Sequence, residues 1–334
     1  MFFGVIAAPG RSPRTFPLLC RALMLAVVLL LAHTASSSSQ NGAAAPPQGD
    51  QSDKVYYARA HPYLDEPTKK LCKLVPELKS VHPATDQQAL GKILEKTGSN
   101  VDEFFKHIVD VIAQERITQE RLSGTRVIGE QQTDDNYLIV RESDKSDSDL
   151  LEYRMDSNGN RLDPGGYHRG YLVTFGFALL SNYFAPMYQQ ESVFRYLGDQ
   201  KLGTRETYVV AFAQKPGEAT QFVTMRSTHI EGVHMLMQGI AWIDKANFQI
   251  VRMRTDLLAP RPEVSLDRQT TEVTFDPVQL QDISSPLWLP ADVKVFLEIK
   301  EAVSSGFVQL RFRNEHHYSD YRRYRVSVKM IPGS

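Results

Sequence analysis

In the second half of the chain, apolar and polar residues alternate with a period of two through five successive segments. Val251, Met253, Thr255 and Leu257 oppose Arg252, Arg254 and Asp256, and Thr271, Val273 and Phe275 oppose Glu272 and Thr274. Val293, Val295, Leu297 and Ile299 oppose Lys294, Glu298 and Lys300, and Val308, Leu310 and Phe312 oppose Gln309, Arg311 and Arg313. Tyr324, Val326, Val328 and Met330 oppose Arg323, Arg325, Ser327 and Lys329. Side chains along a strand point alternately to the two faces, so each segment is a strand with one dry and one wet face. Strands in succession with this pattern make an antiparallel meander. The dry face needs a cover, either a second sheet or helices.

Strands are also expected at Tyr137 to Val140 and Leu151 to Met155, with Asn158-Gly159 as a turn. Phe194 to Leu197 and Thr207 to Phe212 bracket a second hairpin, with Gly198 to Gly203 between them. Gly239 to Ile243 and Phe248 to Leu257 bracket a third around Asp244 to Asn247. Upstream the period changes. A helix capped by Thr85 or Asp86 carries Leu90, Ile93 and Leu94 and is expected to stop at Gly98. Asn100, with Glu103 three residues on, is expected to cap a second helix whose apolar face is Val101, Phe104, Phe105, Ile108 and Ile112. Glu115 to Leu122 reads as the end of that helix or the first strand. From Val55 to Pro83, Leu71, Leu74, Val75 and Leu78 have helical spacing, broken by Pro76. A further helical pattern, Phe177, Leu180, Tyr183, Phe184 and Met187, is apolar on its other side too, at Ala178, Leu179 and Ala185. A helix apolar nearly all round is buried, and this one is placed across the dry face of the sheet.

The N-terminus has the form of an export signal. Arg11, Arg14 and Arg21 precede an apolar run from Ala22 to Ala32, and no acidic residue occurs before Asp50. Such a run is shorter than the roughly 20 residues that span a bilayer and suits a signal-peptide core, with Thr34-Ala35 before Ser36 as the cleavage region. An uncleaved anchor is the alternative. Cys20 lies inside this signal, which leaves Cys72 as the one thiol of the mature chain and excludes an internal disulfide. Removing the three Arg of the signal leaves 35 basic against 39 acidic residues, a net charge of −4 and no electrostatic footprint for nucleic acid. The expected organisation is a signal peptide over 1–35 and a Ser-, Ala-, Pro- and Gly-rich disordered linker over 36–54. A helical segment over 55–122 then packs with a β domain over 123–334.

Chemistry-bearing motifs are scarce. There is no Gly-x-Ser-x-Gly elbow and no His-Glu-x-x-His helix. His229 and His234 lack a third zinc ligand, and the neighbours His316 and His317 point to opposite faces of a strand. His316, on the side of Phe312 and Tyr318, reads as a buried, hydrogen-bonded histidine. Asp156 to Asn160 has its Gly too early for an EF-hand and reads as a turn. Gly165 to Gly170 lacks the Lys-Ser/Thr end of a phosphate loop. The basic and aromatic run from Arg311 to Arg325 is read as a solvated strand face with Arg–Glu cross-strand pairs. No catalytic residue, metal or cofactor is expected.

The run Gly239-Ile240-Ala241-Trp242-Ile243-Asp244, followed by Phe248-Gln249-Ile250-Val251-Arg252, resembles the Trp-aliphatic-Asp turn and following strand of the outer-membrane lipoprotein-sorting (LolA/LolB-like) superfamily. Trp288-Leu289-Pro290 before Val293 to Ile299 is similar to the entry of a late strand there. From about Thr85 to Met330 the chain also resembles a group of uncharacterised exported bacterial proteins. Those share Tyr208 to Phe212, Gly239 to Asp244, Arg268 to Glu272 and Tyr318 to Tyr321. The superfamily resemblance implies an α+β, mainly β fold: a curved antiparallel sheet forming an unclosed half-barrel, with N-terminal helices and the inserted apolar helix covering its concave face. It also implies a periplasmic, non-catalytic protein holding a lipid or lipoprotein acyl chain between sheet and helices, with peripheral membrane contact. The residues expected to line such a cavity are Phe177, Leu180, Tyr183 and Phe184 on the helix, with Trp242, Val295 and Leu297 on strands. The alternative is a structural or protein-interaction module of the envelope with a filled core. The sequence sets no oligomeric state.

Overall fold

The computed structural model describes residues 2–7, 57, 60, 62–141, 150–162, 171, 173–220, 222–227, 230–303 and 306–324. The expected linker, the rest of the expected signal, His229, Gly165 to Gly170 and the strand beyond Tyr324 lie outside them. Fifteen strands run in chain order among the described residues. The first five are β1 (Phe2–Ala7), β2 (His82–Pro83), β3 (Val111–Ser123), β4 (Arg126–Arg141) and β5 (Leu150–Met155). Then come β6 (Val173–Thr174), β7 (Ser192–Leu202), β8 (Arg205–Gln214), β9 (Phe222–Ser227) and β10 (Ile230–Met235). The last are β11 (Met237–Asp244), β12 (Ile250–Leu257), β13 (Leu266–Val278), β14 (Leu287–Val303) and β15 (Gly306–Arg323).

Eleven of these form one antiparallel sheet in the order β2-β7-β8-β11-β12-β13-β14-β15-β3-β4-β5, which is not closed into a barrel. The alternation in the sequence is what builds it. Val293, Val295, Leu297 and Ile299 are buried, while Lys294 among them and Lys300 after them are exposed. Leu297→Ala is therefore expected to destabilise by about 2–5 kcal/mol and Lys294→Ala by less than about 0.5 kcal/mol in urea unfolding; equal losses would contradict this register. Arg313 pairs with Glu120 across β15 and β3, and Arg311 with Glu298 across β15 and β14, as cross-strand pairing required. A four-stranded sheet, β10-β9-β1-β6, includes Phe2–Ala7, which pairs in parallel with Phe222–Ser227.

The expected pair of helices is one. A single α-helix runs from Leu90 to His107, straight through Gly98 and Asn100. Gly98 is not a stop: a Cβ there would meet Gln189 Nε2 at 2.6 Å, Phe184 O at 3.1 Å and Pro186 Cγ at 3.3 Å. The glycine lets the helix press against the segment that follows β6. Asn100, meant as a cap, instead donates through Nδ2 to Asn247 O at 2.7 Å and ties the helix to the β11–β12 turn. The helix ends before Ile108, and Val111–Ser123 already belongs to the sheet, so Ile112 is a strand residue. The apolar segment is a 3-10 helix over Ala178–Phe184, followed after Ala185 by a short α-helix, Pro186–Gln189. Phe177 to Ala185 is buried as expected except for half-buried Ser181, whereas Pro186 is exposed and Met187 is 66% exposed. Together the long helix and the 3-10 helix cover the concave face in one continuous core.

The convex face departs from expectation. Over β7, β8, β11 and β12 it is not wet, because residues 62–83 lie across it. Thr68–Leu74 is an α-helix, Pro76 ends the pattern, and Pro76–Leu78 is a 3-10 turn. Leu71, Val75, Leu78 and Val81 pack there against Leu197, Val209, Ile240 and Trp242. Arg254 and Asp256, expected to face water, are buried beneath this layer. Arg254 Nε donates to Asp256 Oδ2 at 2.8 Å and its Nη1 to Glu272 Oε1 at 3.0 Å. Charged residues alternate on a strand whether their face meets water or paired partners, so periodicity alone does not tell the two apart. The hairpin between β7 and β8 turns at Gly203, with φ of 57°, and not at Gly198. At Gly198, with φ of 136°, a Cβ would lie 2.0 Å from His82 O, so the glycine admits the short strand β2.

Candidate functional site

The concave core brings six of the seven expected cavity residues together. Phe177, Leu180, Tyr183, Phe184, Val295 and Leu297 are all buried in one cluster. Phe184 packs against Phe194 and Phe212 with ring centroids 5.2 and 5.7 Å apart, and Tyr183 lies 4.9 Å from Phe212. The Tyr183 hydroxyl has no hydrogen-bond partner among the described residues, and burial pushes its pKa up. Trp242 is not with the other six. It points to the convex face, packs in the second cluster, and donates through Nε1 to Gln200 Oε1 at 3.0 Å. The alternation on β11 separates them: Ala241 and Ile243 face the concave core, Ile240 and Trp242 the convex layer.

The open space lies beside this core, between the C-terminal half of the long helix and the edge of the concave face. A cavity of about 530 Å³ is bounded there by the helix, by Ser181 of the 3-10 helix, by Phe248 to Ile250, by Phe275, and by the loop from Asp282 into β14. Its apolar wall includes Val101, Phe104, Phe248, Ile250, Phe275 and Trp288. Phe104, Phe248 and Trp288 are only half-buried, so apolar surface stays partly uncovered at the opening. Glu103 and His107 stand at the exposed rim, with His107 Nδ1 3.2 Å from Glu103 Oε2. Thr97, one helical turn before Val101, is fully buried in the lining, and its hydroxyl has no hydrogen-bond partner among the described residues. The volume falls in the range of roughly 300–1,000 Å³ usual for small-molecule sites.

A second polar constellation sits deeper, beneath Phe177. Glu115 Oε1 accepts from Arg154 Nη2 at 2.7 Å and from the Tyr318 hydroxyl at 2.7 Å, and Arg154 Nε donates to Glu115 Oε2. Arg154 Nη2 also donates to Thr174 O at 2.9 Å. Burial lowers the pKa of His316 and keeps it neutral. A neutral ring satisfies both its contacts: Nδ1–H donates to Glu115 Oε1 at 2.8 Å, and Nε2 accepts from Thr174 Oγ1 at 2.8 Å. Burial pushes the Glu115 carboxyl up, but Arg154 and His316 outweigh it and hold the pKa at about 2. One anion and one cation therefore cancel, with their partners in place. This is the buried, hydrogen-bonded His316 that the sequence implied. Beside it Glu152 Oε2 takes the Tyr137 hydroxyl and the N–H groups of Gly176 and Phe177, at 3.1 and 3.0 Å. Burial lifts its pKa to about 7.

The cavity residues were not singled out from the sequence. The spacing places Val101 and Phe104 on an apolar helix face, where the structure has them, but it does not say which part of that face lacks a partner. Phe248, with φ of 60°, is a strained turn residue whose ring reaches the cavity from an unexpected backbone conformation. Glu115 and Arg154 meet across 39 residues, on strands separated in the sheet by β4, a pairing that strand order must supply.

No known family profile matches the chain, and no curated protein matches it. Among solved structures, it is similar to a DUF1329 family protein from Desulfovibrio piger, at 14% identity over 72% of this chain and 94% of that one, with a TM-score of 0.34.

Proposed function

We propose that the protein is an exported, non-catalytic binding protein of the cell envelope that holds the acyl chain of a lipid or lipoprotein. The observation that carries this reading is the cavity of about 530 Å³ between the long helix and the concave face, with half-buried Phe104, Phe248 and Trp288 at its opening. Apolar surface left in water at a concave site is a favourable landing place for a hydrocarbon chain, worth about 25 cal/mol per Å² covered. The basic n-region and short apolar run at the N-terminus support export, and the Gly239 to Arg252 resemblance to lipoprotein-sorting proteins supports the ligand class. Peripheral contact with a membrane follows from such a cargo.

A second reading, an envelope interaction module with a filled core, draws on the aromatic packing around Phe184 and Phe212. Mass spectrometry of the organic extract of natively purified protein separates the two. Wild-type protein is expected to carry lipid. Ser181→Phe, which puts a ring into the cavity from a half-buried position, is expected to lose it with little change in melting temperature. Protein that never carries lipid, and melts the same before and after delipidation, would leave the filled-core module.

A further inference from the structure

Resting on the membrane contact in that reading, we infer that the protein docks on a bilayer with anionic head groups through the end of the β14–β15 hairpin and the β3–β4 turn beside it. The β14–β15 hairpin outruns its neighbours in the sheet. Its two strands stay paired as far as Val303 and Gly306, whereas β13 leaves β14 at the pair Leu266–Ile299 and β3 leaves β15 at Leu122–Arg311. Beyond those pairs, one backbone bond from Lys300 N–H to Ser265 O at 2.7 Å is all that β13's side adds. Lys300 to Val303 and Gly306 to Leu310 therefore project as a two-stranded ribbon, roughly 14 Å long at about 3.4 Å per residue. Phe307 on this ribbon is 69% exposed and Val308 43% exposed. At the β3–β4 turn, Val127 is 38% and Ile128 59% exposed. Arg311 Nη1 ties the two hairpins together by donating to Gly124 O at 3.2 Å.

Two observations favour a bilayer over a protein partner. Phe307 and Val308 are neighbours on one strand, so they point to opposite faces of the ribbon. A docked protein covers one face, whereas a head-group layer surrounds both. The second observation is charge. Residues 121–128 contain Arg121 and Arg126 and no acid, and residues 300–311 contain Lys300 and Arg311 against Glu301, a local net charge of +3 on a mature chain of −4. Arg126 and Lys300 are exposed and have no ion pair among the described residues. Lys300 Nζ lies 4.8 Å from the centroid of the Phe307 ring, so the ring and the ammonium reach a surface together. Apolar side chains entering the interface and cations meeting anionic heads are the two contributions that hold a protein on a membrane. The surface is also separate from the cavity, since Leu287 and Trp288 of the cavity wall stand at the start of β14 and the ribbon at its far end.

The test is co-sedimentation of mature protein, purified from a periplasmic extract, with vesicles at low salt. One set is phosphatidylcholine and the other a mixture of phosphatidylcholine and phosphatidylglycerol. Wild type is expected to bind the anionic vesicles at least ~10-fold more strongly, since each cation near such a surface gives about 5-fold. Phe307→Ser combined with Val308→Ser should weaken that binding by at least ~10-fold at unchanged melting temperature, because the ribbon lies outside the core. Arg126→Gln combined with Lys300→Gln should remove most of the preference for anionic vesicles. Both pairs of changes should leave co-purified lipid in place, and Ser181→Phe should leave vesicle binding in place. Wild type that carries no lipid yet binds anionic vesicles through the ribbon overturns the cargo and supports this surface. Equal binding to both vesicle sets, no binding to either, or full binding by the Phe307 and Val308 variant overturns the membrane contact and leaves the ribbon to a protein partner. Vesicle binding lost in Ser181→Phe overturns it too, and moves the contact to the cavity mouth.

Discussion

Arg154→Met is expected to cost about 3–5 kcal/mol of stability, read as a shift of the urea midpoint at unchanged slope. The side chain of Glu115 is fully buried, and among the described residues Arg154 is its one cationic partner within salt-bridge distance apart from the neutral His316. Removing the guanidinium leaves a carboxylate in the core with only neutral donors. A double change, Glu115→Gln with Arg154→Met, should recover much of the loss, because the uncompensated charge goes with its partner. If the single and double variants lose the same amount, packing and not charge is what Arg154 supplies. The same site sets a pH dependence. Glu115 is held at about 2, below the ordinary 4.5, so its contribution is present above 4.5 and is lost as the pH falls toward 2, about 3 kcal/mol in all. Glu152 acts with the opposite sign. Its pKa is raised to about 7, so its contribution is full below 4.5 and is lost as the pH rises through 7. Glu152→Gln should flatten the neutral limb of the stability profile and leave the acid limb alone.

Phe184→Ala is expected to cost roughly 3–5 kcal/mol, because the ring is wholly buried against Phe194 and Phe212 and its removal opens a void. Phe104→Ala should behave differently. Phe104 is half-buried and faces the cavity, so trimming it removes fewer protein contacts and is expected to cost less stability while weakening retention of any bound chain. Melting temperature and co-purified lipid, measured for both variants beside wild type, separate the roles. Phe184→Ala with intact stability and lost lipid would move the binding site from the mouth to the interior.

The sheet was legible in the sequence where one of its faces meets water. β14 shows this best, since Val293 to Ile299 alternates in both pattern and burial. Legibility failed where a polar residue has a buried partner. Arg254 and Asp256 have the spacing of solvent-facing residues, yet they pair with each other under a layer of chain some 180 residues away in sequence, as the 177-residue separation of Arg254 and Glu77 shows. Gly98 failed for a related reason. A helix stop and a close helix contact both favour glycine, and only the approach of Phe184 and Pro186 decides between them. For the site, the apolar inventory was visible, and six of the seven residues do share one cluster. The position of the unfilled volume was not, because a void is the difference between neighbouring surfaces and leaves no mark on any single residue.

The place of β15 between β14 and β3 has a kinetic consequence. Strands β7, β8 and β11 to β15 zip by near neighbours, but β3, β4 and β5 join the sheet only through β15, with Arg313 reaching Glu120 across 193 residues. Closing a loop of that length carries an entropic cost that grows as about (3/2)RT ln n, and long-range pairing of this kind slows folding. Until β15 is made, β14 and β3 both present bare strand edges, which are templates for pairing with other chains. The sheet is therefore completed only when β15 pairs with both neighbours, and until then these two edges stay open.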